Sequence, residues 1–171
     1  MATTFEIPTL RTDRLTLRAF RPADLEPWAA MEADPEVRRY RGGNLRSRNE
    51  AWTAMEGILG QWALRGYGIF ALQRHGDDRF VGFTGMLHPA DWPEPELAYS
   101  LAPEAWGSGL AAEGARAALD WAFARHRFAR LASFIIAGNA RSVRVAEKLG
   151  AVQEGTVSLR GHEAACWVHR P

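Results

Sequence analysis

The sequence predicts an α+β fold with a mixed sheet covered by helices on both faces, and three patterns carry that expectation. Runs that alternate apolar and polar residues come first and pair off through turn residues, as hairpins do. Segments of helical periodicity stand between them. In the second half the order becomes strand, helix, strand, helix, which makes the sheet mixed rather than purely antiparallel. A length of 171 residues, with 47% hydrophobic, 24% charged and 11% aromatic side chains, suits one packed unit. No repeat, low-complexity run or Ser/Gly linker divides the chain, so residues 1–171 are expected to form a single domain.

Leu15, Leu17 and Ala19 alternate with Arg14, Thr16 and Arg18 and predict the first strand. Pro22 then opens a helix through Leu25, Trp28, Ala29 and Met31. After the two glycines that end DPEVRRYRGG, Ser47 caps a second helix carrying Trp52, Met55, Ile58, Leu59 and Trp62 at helical spacing, with Gly66 marking its end. Residues 68–73 and 80–87 flank the turn-forming HGDD and predict a hairpin. Glu96 to Leu101 is a further strand. WGSGLAAEGARAALDWAFAR passes from a Gly-rich turn into a helix beginning near Ala111, and LASFII is short enough for a buried strand. A fourth helix from about Ser142 to Leu149 stops at Gly150. Two short strands, near Val152 and at 165–168, close the chain.

Twenty-one basic against 20 acidic side chains leave a net charge of +1, too little for the counterion-releasing grip of a general nucleic-acid binder. Cys166 is the single cysteine and has no Cys or His neighbour at ligand spacing, so neither an internal disulfide nor a zinc site of the usual kind is expected, and a reducing compartment fits. The opening MATTFEIPTL lacks a basic and then apolar leader, and no stretch reaches the roughly 20 apolar residues of a membrane span. The expectation is a cytoplasmic protein with no nucleic-acid or membrane partner and no metal.

The segment PEAWGSGLAAEG is where chemistry enters. A strand ending at Leu101 feeds a loop with Gly107 and Gly109 and then a helix, whose first amides lack internal partners and carry the positive end of the dipole. Such a loop can cradle a pyrophosphate, although GxG by itself is more often a tight turn with helix packing. It is not a Walker loop, since no Gly-Lys-Ser/Thr follows, nor a Rossmann fingerprint, since the third glycine is missing.

These residues resemble the GNAT N-acetyltransferase superfamily, whose acetyl-CoA loop falls here on Trp106, Gly107, Ser108, Gly109, Leu110 and Ala111. Trp106 departs from the usual Arg/Gln and is similar to the branch that includes the ribosomal-protein N-terminal alanine acetyltransferases, whose run closes on an acid as Glu113 does. Ala105 and Leu110 stand where that branch has aromatics. LRTDRLTLRAFRPAD, ELAYSLAPEAWGSGLAAE and NARSVRVAEKLGAVQEG extend the likeness over nearly the whole chain. The resemblance implies a mostly antiparallel central sheet, and a strand 96–101 that splays from its neighbour so that backbone near Leu101 meets the pantetheine arm.

It further implies acetyl transfer from acetyl-CoA to a primary amine by direct attack on the thioester. Glu96 is then the group that takes a proton from the incoming ammonium, directly or through water; the alternative is a solvated strand-end carboxylate. Asn139 would touch the pantetheine, though capping alone explains it, and Ser142 would give a proton to the thiolate. The tyrosine that many relatives carry near the last strand is missing from ACWVHRP. Trp52, Trp62, Trp92 and the acidic stretch Asp91–Glu96 would wall the acceptor pocket, which serves peptide N-termini or small-molecule amines on one scaffold. His126 reads as a helix C-terminal group complementing the dipole. A homodimer is left open, as relatives often pair. Two other readings stand beside the enzyme: a non-catalytic CoA-binding sensor or interaction module on the same fold, and a structural domain that binds no CoA.

Overall fold

The computed structural model describes residues 5–171, so the first four residues of the opening stretch lie outside the described residues. Eight strands form one sheet: β1 (Leu10–Arg11), β2 (Leu15–Arg18), β3 (Ile69–Arg74), β4 (Phe80–Leu87), β5 (Glu96–Leu101), β6 (Leu131–Ile136), β7 (Val152–Leu159) and β8 (His162–His169). The helices are α1 (Leu25–Ala33), α2 (Pro35–Arg38), α3 (Arg48–Arg65), α4 (Leu110–Arg125) and α5 (Ala140–Lys148). The spatial order is β1-β2-β3-β4-β5-β6-β8-β7. Every pairing is antiparallel except β5 with β6. This is the mixed, mostly antiparallel α+β sheet that the sequence predicts.

Local chemistry sets the helix bounds. Ser47 and Glu50 form a reciprocal capping box at the start of α3, and Gly66 ends it in the left-handed region at φ +73°. Asp24, buried, receives two hydrogen bonds from Arg18 at 2.7 and 2.8 Å and one from the Arg21 amide, which ties the start of α1 to β2. Alternation along β3 then divides the core. Phe70 and Leu72 face α4 together with Leu15 and Leu17, while Ile69 and Ala71 face α1 and α3 with Trp28, Met55 and Phe83. Both faces of the sheet are thus covered. Among the described residues no helix is long and apolar enough to cross a membrane.

Five elements differ from the sequence expectation. The two-residue β1 is too short to show a period. α2 begins at Pro35, with Asp34 as its cap, inside a stretch whose arginines and terminal glycines read as a loop. β7 and β8 each run eight residues, longer than expected, because β7 is an exposed edge strand and its Gln, Glu, Thr and Ser hide the pattern. α5 also starts at Ala140, two residues before the expected Ser142.

The end of β8 holds a buried base. His169 is 1% exposed, and its Nε2 lies 3.0 Å from Ser133 Oγ, which itself donates to the Leu97 carbonyl at 2.7 Å. The serine hydrogen is therefore used, and the imidazole donates as a neutral ring. Burial, with Arg116 adding to it, pushes the His169 pKa down to about 4. Because the unfolded chain binds that proton near pH 6.5, folding loses stability as pH falls from 6.5 toward 4. Chemical denaturation at pH 7.5 and 4.5 should show wild type losing roughly 2.5 kcal/mol more than a His169→Gln variant.

Candidate functional site

β5 and β6 meet only at Glu96 and Ala132 and part beyond that point. Ser133 Oγ bridges the start of the opening through its bond to Leu97 O. The Ala102 amide donates to the Val81 carbonyl, which fixes the alternation along β5. Leu97, Tyr99 and Leu101 consequently turn their backbone groups away from β4 and toward the gap. Trp106 Nε1 donates to the Leu101 carbonyl at 2.9 Å, so of the Leu101 backbone it is the amide that remains directed into the opening. The Tyr99 backbone is directed there too.

A cleft of about 510 Å³ opens on this gap. Tyr99, Ser100, Leu101 and Trp106 line one side, Gly107, Gly109 and Ala111 the floor of the loop, and Gly138 to Ser142 with Arg144 and Lys148 the other side. Glu36 and Val37 of α2 and Arg39, Tyr40 and Arg41 just after it also line the cleft, and the Tyr40 hydroxyl donates to the Gly138 carbonyl at 3.1 Å.

The glycine loop has the shape that an anion needs. Gly107 and Gly109 sit at φ +73° and +81°, values an L side chain rarely adopts, and Gly109 is the N-cap of α4. A Cβ built on Gly107 would meet nothing within 4 Å, so the space above this glycine is open. The amides of Ala111 and Ala112 are first-turn donors with no helical acceptor, and among the described residues those of Gly107, Ser108 and Gly109 have no protein partner either. Leu110 contributes only backbone, since its side chain is buried in the core.

What holds the loop in this shape was not legible in GxG. Glu113 accepts from Thr12 Oγ1 at 2.6 Å, from the Arg14 amide at 2.9 Å and from Arg14 Nε at 2.6 Å. Arg14 Nη1 in turn donates to the Ser108 carbonyl at 2.9 Å. Burial pushes the Glu113 carboxyl up, but these bonds outweigh it and hold the pKa below the ordinary glutamate value. The front motif RTDR and the closing acid of the loop are thus one structural unit.

Asn139 is the N-cap of α5 and accepts from the Ser142 amide at 3.2 Å. Both residues line the cleft, and the Tyr99 hydroxyl donates to the Ser142 carbonyl at 2.9 Å. Burial, helped by the charge of Glu96, raises the Tyr99 pKa, so the phenol stays protonated.

Glu96 is not on the wall of that cleft. It lies at the apex of the parting strands, on the opposite face of β5 from Tyr99, and shares its face with Ala98 and Ser100. Its Oε2 accepts from Trp92 Nε1 at 2.7 Å and its Oε1 from the Phe134 amide at 3.4 Å. Burial pushes its pKa up to about 7, against the opposing pull of those bonds and of Arg41. Protonated and ionised forms are then both populated near neutral pH, unlike a fully solvated carboxylate.

The expected acceptor wall changes in composition. Trp62 is 2% exposed, stacks edge-on with Phe70 at 4.9 Å and donates to the Ile69 carbonyl, so it is core. Asp91 is paired with Arg160 at 2.7 Å and Glu94 with Arg130, so neither carboxylate is free for a cationic acceptor. His126 sits among the rings of Tyr67, Trp121 and Phe128, and burial lowers its pKa, which disfavours the cation that a dipole-capping role requires.

Residues 14–152 match the acetyltransferase (GNAT) domain family. YkkB, an uncharacterized protein of Bacillus subtilis, is 32% identical over 148 residues, covering 82% of this chain and 83% of its own. Among solved structures, an acetyltransferase from Agrobacterium tumefaciens superposes with a TM-score of 0.88 at 28% identity, over 100% of this chain and 99% of that one. A spermidine N-acetyltransferase from Vibrio cholerae, solved with CoA and spermine, shares the fold at a TM-score of 0.76 and 20% identity, over 93% of this chain and 96% of that one.

Proposed function

The chain belongs to the GNAT acetyltransferase family and is an acyltransferase, and we propose that residues 1–171 act as one cytoplasmic N-acetyltransferase domain moving an acetyl group from acetyl-CoA to a primary amine. One observation carries the reading: the parted strands and the bare amides of Gly107, Ser108, Gly109, Ala111 and Ala112 open into a single cleft. The donor supplies a thioester carbonyl, a pantetheine arm and a pyrophosphate. The Tyr99 backbone and the Leu101 amide can meet the arm as an added strand would, and the loop amides can meet the pyrophosphate. Arg141, Arg144 and Lys148 of α5 supply positive charge along the same wall.

Glu96 takes a proton from the incoming ammonium, since a lysine-like amine with a pKa of roughly 10 is almost wholly protonated at neutral pH. The amine nitrogen then bonds to the thioester carbon and the carbon–sulfur bond breaks. Ser142 faces the cleft and is our candidate donor to the leaving thiolate. A thiol pKa of roughly 8.5 makes that thiolate a fair leaving group, so the serine contributes little beyond positioning. Calorimetric titration of the purified protein with acetyl-CoA tests the reading. One-to-one binding, followed by thiol release when a primary amine is added, supports it; a folded protein that binds no acetyl-CoA overturns it.

A further inference from the structure

Five cationic side chains, Arg39, Arg41, Arg141, Arg144 and Lys148, and one carboxylate, Glu36, line the cleft of a protein whose net charge is only +1. Three of the cations belong to α5, beside the phosphate loop. Arg41 belongs to the other side. Its guanidinium lies 4.8 Å from the centre of the Phe83 ring and 5.8 Å from that of Trp28, on the sheet face that also carries Glu96, Ala98 and Ser100.

The partner of Arg41 is Glu32, a carboxylate that is 0% exposed and shared among three arginines. Its Oε2 accepts hydrogen bonds from Arg38 at 3.3 Å and Arg46 at 2.7 Å. Arg41 Nη1 approaches Oε1 at 2.7 Å without hydrogen-bond geometry, and both atoms are buried without a hydrogen-bond partner. One negative charge thus faces three positive ones, and the least satisfied of the three reaches the cleft. Nη1 is closed off against Glu32, but the Arg41 side chain is 23% exposed where it lines the cleft, and a planar carboxylate is the group that best matches the remaining donors of a guanidinium fork. The carboxylates once expected to attract a cationic acceptor, Asp91 and Glu94, are already neutralised by Arg160 and Arg130.

Resting on the acetyl-transfer reading, we infer that the acceptor is an amine that also bears a carboxylate, with the amine presented to Glu96 and the carboxylate received by Arg41. The transfer forms a nitrogen–carbon bond and breaks the carbon–sulfur bond; the amine's proton ends on the thiol, and the products are an N-acetyl amino acid or peptide and CoA. A polyamine fits this arrangement poorly, because a second cation would be brought to Arg41.

The experiment is an acceptor panel followed by thiol release and mass spectrometry. It contains ω-amino acids of increasing chain length, each beside its carboxamide; short peptides with Glu or Gln after the first residue; and spermidine. Wild type should favour the carboxylate member of at least one pair by about tenfold or more in kcat/KM, the worth of one charge-assisted hydrogen bond. Whether that pair is a free amino acid or a peptide identifies the source of the carboxylate. In Arg41→Gln, and less so in Arg41→Lys, the preference should collapse toward one, chiefly through KM. Preference for the carboxamides or spermidine, acetylation of none while acetyl-CoA still binds, or a preference that survives in a folded Arg41→Gln protein would each overturn the inference and leave the cofactor reading standing. Absence of acetyl-CoA binding would remove both.

Discussion

Glu96→Gln lowers kcat by about 100-fold or more while acetyl-CoA affinity stays within about twofold of wild type, the loss typical of removing a general base. The physical ground is the position of the carboxylate: at the apex where β5 and β6 part, off the wall of the cofactor cleft, with its pKa pushed up to about 7 by burial. The basic form is the active one, so wild-type activity should fall as pH drops below about 7 and level off above it. In the Gln variant that inflection vanishes and only the titration of the acceptor amine remains. Trp92→Phe gives a graded check. The indole holds the ionised carboxylate through a 2.7 Å bond, so its loss should move the inflection to higher pH without abolishing turnover. Calorimetry beside a pH–rate profile reads all three proteins. A non-catalytic CoA-binding module predicts instead that no amine is acetylated before or after substitution.

Much of this architecture was legible because local signals and tertiary demands agree. The Ser47 cap and Gly66 stop of α3 are visible as residue types and are realised as a capping box and a left-handed terminus. β5 spans the expected 96–101 because its bounding prolines and alternation coincide. β7 was underestimated because an edge strand buries almost nothing, so its pattern is set by solubility rather than by packing. α2 was missed because its purpose is tertiary. Its one arginine, Arg38, reads as polar in sequence, yet it is buried against Glu32, and that pairing is invisible until α1 and the following loop are brought together.

The same division holds at the site. Gly107, Gly109, Asn139 and Ser142 line the cleft and are legible in sequence because their chemistry is local, a turn and a cap. The long-range members were not. Glu113 lies 99 residues from Arg14, and only the fold joins them beneath the glycine loop. Tyr99 carries no local signal of its place: its backbone faces the gap and its hydroxyl reaches α5. Sequence alone also suggested an acidic acceptor wall, because the arginines that neutralise Asp91 and Glu94 lie far along the chain at Arg160 and Arg130. Charge in a segment predicts a field only after its partners are known.

Gly107→Glu abolishes measurable acetyl-CoA binding, a loss of about 100-fold or more, in a protein that remains folded. Two features separate these effects. A side chain at φ +73° costs on the order of 1–2 kcal/mol in backbone strain, which should lower the melting temperature by a few degrees. The added Cβ meets no protein atom within 4 Å, so nothing in the core is displaced. The carboxylate instead enters the space above the bare amides and competes for the donors that a pyrophosphate would use. Gly107→Ala carries the same strain without the charge or the length, and its affinity should fall far less than that of the Glu variant at a similar melting temperature. If the two variants lost affinity equally, the loop would act through its shape alone. If neither lost any, the pyrophosphate would lie elsewhere in the cleft, against the cations of α5. Titration of both proteins with acetyl-CoA, paired with thermal melts, separates strain in the turn from occupation of the cradle, and so tests whether Gly107 is there to leave room for a ligand rather than to make a turn.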